Sequence, residues 1–271
     1  MSKILFAAFA AFLMFLTGPA LAWELDAMNR TIDGTNFLVN DPPNCSGTLV
    51  DLENRIVITN WHCIRSGIKR VKEDRTDSNG DIRQVERIEY RPVTITQRSY
   101  ADFKQVGSLS FVTDIVAQDE ALDLAILQVK AQKLPHTFAT QLLPMGVDII
   151  RGEVVYAVGN PALLDASVTV GIVSNLARKL NVAGTEREYM QMSAPIFGGN
   201  SGGALYNDSG QMIGIPAAAA AGGGSLAFAI RIDTIRTFLD AACFSTVYDP
   251  VGGAERDMAC IAEREGTEAV E

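Results

Sequence analysis

Short apolar runs alternate with turn residues along this chain, and that rhythm limits its fold more than any other feature. The runs fall at 46–52, 55–59, 109–116, 122–129, 153–158, 167–173, 203–206, 211–215 and 225–230, with Gly, Pro, Asn or Asp between consecutive runs. Strand-length runs at such spacing predict an all-β sandwich or barrel. The segment 130–151 carries few strand signals and includes Pro135, Pro144 and Gly146, so it reads as a connector between two β halves, about 36–130 and about 147–231. Ile232, Ile235, Phe238, Leu239 and Ala242 follow helical spacing, which predicts one closing helix over 232–242 with Asp233 as its N-cap. Residues 243–271 form an acidic tail. Its last nine residues, with Glu263, Glu265, Glu268 and Glu271 against Arg264, are expected to be disordered.

The first 22 residues read as a signal peptide rather than as part of the fold. Lys3 supplies the positive start, 4–16 is apolar, and Ala20-Leu21-Ala22 precedes Trp23 as a cleavage signal. The apolar run falls short of the about 20 residues that a membrane span needs, so no stable membrane insertion is expected once it is removed. The mature product is expected to be secreted or periplasmic. With 23 Lys+Arg against 32 Asp+Glu and a net charge of −9, nucleic-acid binding is not expected.

Export bears on the four cysteines, Cys45, Cys63, Cys243 and Cys260. They allow three pairings, and in an oxidising compartment the two local ones, Cys45 with Cys63 and Cys243 with Cys260, are expected. A zinc site is disfavoured because no C-x-x-C occurs and only His62 and His136 are available as imidazole ligands. The polar segment 70–105 holds Asp77-Ser78-Asn79-Gly80-Asp81. A calcium loop there would begin at Arg75, a cation where a carboxylate must sit, whereas Asn-Gly between extended segments signals a hairpin turn. The hairpin is the expectation, and no metal.

Three pieces carry chemistry. His62 stands at the exit of the apolar strand Ile58-Thr59-Asn60-Trp61, while His136, beside Pro135, reads as an ordinary loop residue. Gly199-Asn200-Ser201-Gly202-Gly203 places a serine on a tight turn whose N–H groups can converge on an oxyanion. The same pentapeptide fits the G-x-S-x-G elbow of α/β-hydrolases, but that fold needs a histidine after the serine, and none follows Ser201. Asp123 interrupts the apolar run Ala121–Leu127; burying it would cost several kcal/mol unless it is paired. Alone it could cap a turn after Asp119 and Glu120; beside His62 and Ser201 it can hold an imidazole in the tautomer that accepts a serine proton.

The order His62, Asp123, Ser201 and the surrounding words resemble the trypsin-like serine peptidases of the chymotrypsin fold, and within them the HtrA/Deg branch. The resemblance is carried by Ile56-Val57-Ile58-Thr59-Asn60-Trp61-His62, Asp123-Leu124-Ala125-Ile126-Leu127, Ala157-Val158-Gly159-Asn160-Pro161, Val168–Ser174, Gly199–Leu205, Ile213-Gly214-Ile215 and Phe228-Ala229-Ile230. It implies two six-stranded antiparallel β-barrels with a C-terminal helix, within a peptidase domain spanning 23–242. It also implies a serine endopeptidase acting on protein or peptide substrates without a cofactor. Ser201 would be nucleophile, His62 general base, Asp123 the orienting carboxylate, and the Gly199 and Ser201 N–H groups the oxyanion hole. Cys45 and Cys63 resemble the disulfide beside the histidine in secreted members. A protease-like binding module that has lost turnover is the alternative, disfavoured because no triad member is missing.

Departures from the family matter too. The residues after Ala242 are too few for the PDZ domain that usually follows in HtrA relatives, and 70–105 reads as an insertion. Where trypsin-like enzymes selective for Arg or Lys carry an Asp, six residues before the nucleophile, this chain has Pro195. The matching pocket segments, Met192-Ser193-Ala194-Pro195 and Ala227-Phe228-Ala229, hold no charge, so small or medium aliphatic P1 residues are expected. Asn200 stands where many zymogens carry the Asp that binds a new N-terminal amine, and the start Trp23-Glu24-Leu25 is unlike the inserted Ile-Val type. Removing the signal is expected to suffice for activity.

Overall fold

Two closed barrels form the molecule. The computed structural model describes residues 28–268 apart from 30, 33–34, 41–43, 77–79, 102–103, 135–137, 165, 183 and 220–225. The expected signal peptide, the start at Trp23 and His136 lie outside the described residues. The N-terminal half comprises β1 (Asn36–Val39), β2 (Cys45–Asp51), β3 (Ile56–Thr59), β4 (Ile68–Thr76), β5 (Ile82–Tyr90), β6 (Val93–Ala101), β7 (Lys104–Asp119) and β8 (Leu124–Val129). Its barrel closes in the order β1-β2-β3-β8-β7-β6, and β4 and β5 stand apart as a two-stranded sheet. The second barrel comprises β9 (Val154–Gly159), β10 (Ser167–Val182), β11 (Thr185–Met192), β12 (Ala204–Asn207), β13 (Met212–Ala219) and β14 (Ala227–Arg231), in the order β10-β11-β14-β13-β12-β9.

Strand periodicity explains the continuous apolar character of β3 and β8. Successive side chains point to opposite faces. Val57, Ala125 and Leu127 fill the first barrel with Phe37, Leu49 and Ile95. Ile56, Ile58, Leu124 and Ile126 face the other way and join the core that contains Val158, Met190, Leu205 and Ile215 of the second barrel. These two strands are therefore buried on both faces, which neither polar nor alternating sequence would permit. The opposite holds for β4 and β5, which are largely exposed and rich in charge; they pair from Ile68↔Tyr90 to Thr76↔Ile82, as the Asn-Gly signal predicted. Strands β6 and β11 carry polar and charged residues along their length, Gln97, Arg98 and Ser99 in one and Glu186, Arg187 and Glu188 in the other, which is why neither was marked by an apolar run.

Helix α1 (Ile232–Ala241) buries Ile232, Ile235, Phe238 and Leu239 on the second barrel, as the spacing predicted. Its N-cap is Arg231, two residues earlier than expected; Asp233 lies inside the first turn, where its carboxylate pairs with Arg231 at 2.8 Å. The tail differs more. Helix α2 (Gly253–Glu268) replaces the disorder expected for its end, at least as far as Glu268. The reason is tertiary. Cys243 and Cys260 are bonded, and buried Asp257 accepts hydrogen bonds from the Ser245 and Thr246 N–H groups and the Thr246 hydroxyl. The other disulfide joins Cys45 to Cys63, so both local pairings form. No helix among the described residues is long and apolar enough to cross a membrane.

Candidate active site

Antiparallel pairing brings His62 and Asp123 together. Thr59, the last residue of β3, lies opposite Ala125 at the start of β8, so the residues just beyond these ends are neighbours. The chain leaves β3 through buried Asn60 into a 3-10 turn, Trp61–Cys63, that carries His62. The Asp123 carboxylate accepts from the His62 backbone N–H at 2.9 Å, and His62 Nδ1 lies 2.9 Å from Oδ2 and 3.0 Å from Oδ1. A carboxylate only accepts, so the neutral ring carries its proton on Nδ1 and leaves a lone pair on Nε2. The Asp123 side chain is 7% exposed and that of His62 is 28%, so the pair is sheltered on the acid side and open on the base side.

The turn before Asp123 is held from several directions. Asp123 has φ 58°, a left-handed conformation that Asp tolerates better than most residues. Asn60 Nδ2 donates to the Asp123 carbonyl at 2.9 Å, and the Leu122 N–H donates to Asp119 Oδ1 at 2.8 Å. From the second barrel, Arg187 on β11 donates through Nε to the Ala121 carbonyl at 2.6 Å and through Nη2 to the Glu120 carbonyl at 2.7 Å. Burial pushes the nearby Tyr189 hydroxyl above the ordinary tyrosine range despite the opposing charge of Arg187, and Asp123 adds to the rise.

Ser201 reaches the same seam from the other side. Its carbonyl accepts from the Ser46 N–H at 2.8 Å and lies 3.8 Å from Cys63 Sγ, next to His62 in sequence. The loop is a succession of tight turns, with Asn200 N–H to Phe197 carbonyl at 3.1 Å and Gly203 N–H to Asn200 carbonyl at 3.0 Å. Two of its glycines are obligatory: a Cβ on Gly199 (φ +108°) would meet the Asn160 carbonyl oxygen at 2.3 Å, and one on Gly202 (φ +81°) the Ser46 oxygen at 2.1 Å. Among the described residues, no hydrogen bond joins the Ser201 hydroxyl to His62, and none is made by the Gly199 or Ser201 N–H groups.

The pocket segments are adjacent in β-sheet: Met192 pairs with Ala227, and Met190 with Ala229. Met192, Ala194, Ala227 and Ala229 are fully buried in the second barrel's core, and Phe228 is nearly so. Ser193 accepts from the Ile172 N–H, and the Pro195 carbonyl from the Thr169 hydroxyl. No charged side chain belongs to either segment. Cys45, His62 and Cys63 cluster closely enough for a metal, but both sulfurs are consumed by the disulfide. Sequence reasoning missed Ser46, Asn60, Asn160 and Arg187. A buried polar residue at a strand end was the available signal for Asn60 and Asn160; nothing local marks Arg187.

Two barrels meeting at a His–Asp pair and a Gly-Asn-Ser-Gly-Gly turn define a chymotrypsin-type serine peptidase scaffold. A family model described as trypsin-like peptidase domain matches residues 45–215, and the chain belongs to that family. Similar curated proteins include Protease Do-like 1, chloroplastic, from Arabidopsis thaliana, 32% identical over 220 residues covering 77% of this chain and 41% of that protein. Another is Serine protease HTRA1 from Xenopus tropicalis, 31% identical over 208 residues covering 75% and 37% respectively. The chain thus spans about two fifths of the length of these relatives. A solved HtrA-type protease structure with a tripeptide shares the fold, with a TM-score of 0.55 at 23% identity, covering 79% of this chain and 62% of that one.

Proposed function

We propose that the protein is a serine endopeptidase, and the observation that carries this reading is the sheltered His62–Asp123 pair, whose neighbour Cys63 has its Sγ 3.8 Å from the Ser201 carbonyl. In the proposed reaction, Ser201 Oγ attacks the substrate carbonyl as its proton passes to His62 Nε2. The resulting oxyanion is held by the Gly199 and Ser201 N–H groups. The protonated imidazole, stabilised by Asp123, then gives its proton to the leaving amine. Water, deprotonated by the same nitrogen, hydrolyses the acyl-enzyme and releases Ser201. Protein or peptide chains are the substrates, within a peptidase domain spanning 23–242.

Three finer features belong to the same proposal. The absence of charge in the pocket segments supports small or medium aliphatic P1 residues, because an unpaired substrate charge there would cost several kcal/mol to bury. Neutral Asn200 supports activity without N-terminal trimming beyond the signal peptide, since an inserted ammonium would lack its counter-charge. The disulfides and the apolar leader support a secreted or periplasmic product. The test is labelling with a fluorophosphonate probe: an adduct on Ser201, absent in Ser201→Ala, is expected. A folded wild-type protein that takes no label would instead fit a binding module without turnover. Peptide-library cleavage dominated by Arg, Lys or Glu at P1 would overturn the pocket assignment.

A further inference from the structure

The oxyanion turn belongs to the second barrel, yet the group that grips it comes from the first. Ser46 on β2 is fully buried, and its hydroxyl donates to the Gly199 carbonyl at 2.7 Å. The same oxygen accepts from the Asn160 backbone N–H at 2.8 Å and from Asn160 Nδ2 at 3.1 Å. One proton and two lone pairs are the whole capacity of a hydroxyl, so Ser46 is saturated and its direction is determined. The amide N–H groups can only donate, and the proton must therefore point at Gly199.

Asn160 is saturated in the same way. Nδ2 also donates to the Phe37 carbonyl at 2.8 Å, and Oδ1 accepts from Asn36 Nδ2 and the Ala166 N–H, each at 3.0 Å. Asn36 and Phe37 lie on β1, so Asn160 too bridges the barrels. Just after it, Ala162 and Leu163 adopt left-handed φ of 50° and 67°. In the same stretch the Ala162 N–H donates to the Gly198 carbonyl at 2.9 Å. A trans peptide is planar with its N–H opposite its C=O. Fixing the Gly198 carbonyl on Ala162 therefore directs the Gly199 N–H away from that contact, and fixing the Gly199 carbonyl on Ser46 prevents the next peptide from rotating to compensate.

We infer that Ser46 and Asn160 are positioning residues that lock the 198–200 backbone with the Gly199 N–H presented as an oxyanion donor. This rests on the serine-peptidase reading and extends it. In this chain the lock takes the place of a buried ion pair at the neutral residue Asn200: hydrogen bonds from the neighbouring barrel order the turn. The first barrel thereby has a role in the hole as well as in the His–Asp pair.

The experiment compares wild type, Ser46→Ala and Asn160→Asp, the last keeping both acceptor contacts of the side chain while losing its donors. Fold is followed by thermal melting. Function is followed by kcat and KM on an aliphatic-P1 peptide and by the affinities of the matching peptide boronate, which places an oxygen in the hole, and of the product acid. A lock predicts that kcat falls about 10- to 100-fold, approaching the loss of one oxyanion donor, with boronate affinity falling in parallel. KM and product affinity should stay within about threefold, the pattern of an interaction made in the transition state. Folded Ser46→Ala with unchanged kcat and boronate affinity would overturn the inference, as would losses shared equally by KM and product affinity. Should Ser46→Ala fail to fold, Asn160→Asp decides by the same two ratios. Wild-type protein inert to fluorophosphonate would refute the peptidase reading itself, a result separable from any failure of the lock.

Discussion

Arg187 offers a direct measure of how far the second barrel controls the acid of the first. Its guanidinium spans two consecutive carbonyls, Glu120 and Ala121, immediately before Leu122 and Asp123. Hydrogen bonds from a charged donor are worth about 1.5–3 kcal/mol each when sheltered. Arg187 is half-buried, so water would replace part of both in an Ala variant, and a combined loss of about 2 kcal/mol is reasonable. Were all of it to appear in the barrier, kcat would fall about 30-fold. The Asp119–Leu122 and Asn60–Asp123 bonds still restrain the turn, so a fall of about 5- to 30-fold is expected for Arg187→Ala. A lysine ammonium cannot fork across adjacent carbonyls as a guanidinium does, and Arg187→Lys should recover only part of the loss. The assay is kcat on an aliphatic-P1 peptide beside the second-order rate of fluorophosphonate labelling. In the proposed mechanism both depend on His62 as base, so they should fall together while product affinity holds. A folded Arg187→Ala protein within about twofold of wild type in both rates would refute the reasoning.

Gly199→Ala should lower kcat by about 100-fold or more, because its Cβ would meet the Asn160 oxygen at 2.3 Å and force the donor peptide aside; steady-state kinetics on the folded variant decide it. Replacing Cys45 and Cys63 together by Ser should cost about 3 kcal/mol of stability in the chain-entropy picture, read from urea unfolding, and an unchanged midpoint would contradict it. Burial alone would raise the Asp257 carboxyl, but its hydrogen bonds from Thr246 and Ser245 hold it below the usual carboxylate range. A depressed value in the folded state stabilises above the unfolded value of about 4 and is lost as pH falls through the lower folded one. Protection of the Ser245 and Thr246 amides, taken relative to their intrinsic exchange rates, should therefore fall below about pH 4, and Asp257→Asn should remove that acid dependence.

The sequence was most legible where a single physical rule governed a whole segment. Segments 55–59 and 122–129 announced strands because burial on both faces requires continuous apolar residues, and Asp123 stood out because a carboxylate in such a run needs a partner. The order of His62, Asp123 and Ser201 excludes the hydrolase elbow from the sequence alone. Legibility failed where long-range contacts replace local pattern. Strand β11, reading Thr-Glu-Arg-Glu-Tyr-Met-Gln-Met, has no clean alternation because only its last residues enter the core and the rest extends as a hairpin arm. Helix α2 looked like a disordered acidic end because its stability comes from Cys243 and from the Ser245–Thr246 amides, neither of which is visible in its own composition. Ser46 and Arg187 were silent for a related reason: each acts on a segment more than 60 residues away in the chain.

Those two residues expose a reciprocity in the architecture. The first barrel supplies the His62–Asp123 pair, but the turn bearing Asp123 is tied by Arg187 of the second. The second barrel supplies the Ser201 turn, but that turn is tied by Ser46 of the first, through both its N–H and its hydroxyl. Each half thus holds in place an element of the proposed site that belongs to the other. Between them lies one apolar layer to which Ile56, Ile58, Leu124 and Ile126 contribute from one side and Val158, Met190 and Leu205 from the other. Close packing makes such a layer resist small displacements. Relative sliding of the barrels would strain this layer and both ties at once. The proposed proton path from Ser201 to His62 crosses the same seam, so the contacts that fix its length are those that hold the two barrels together.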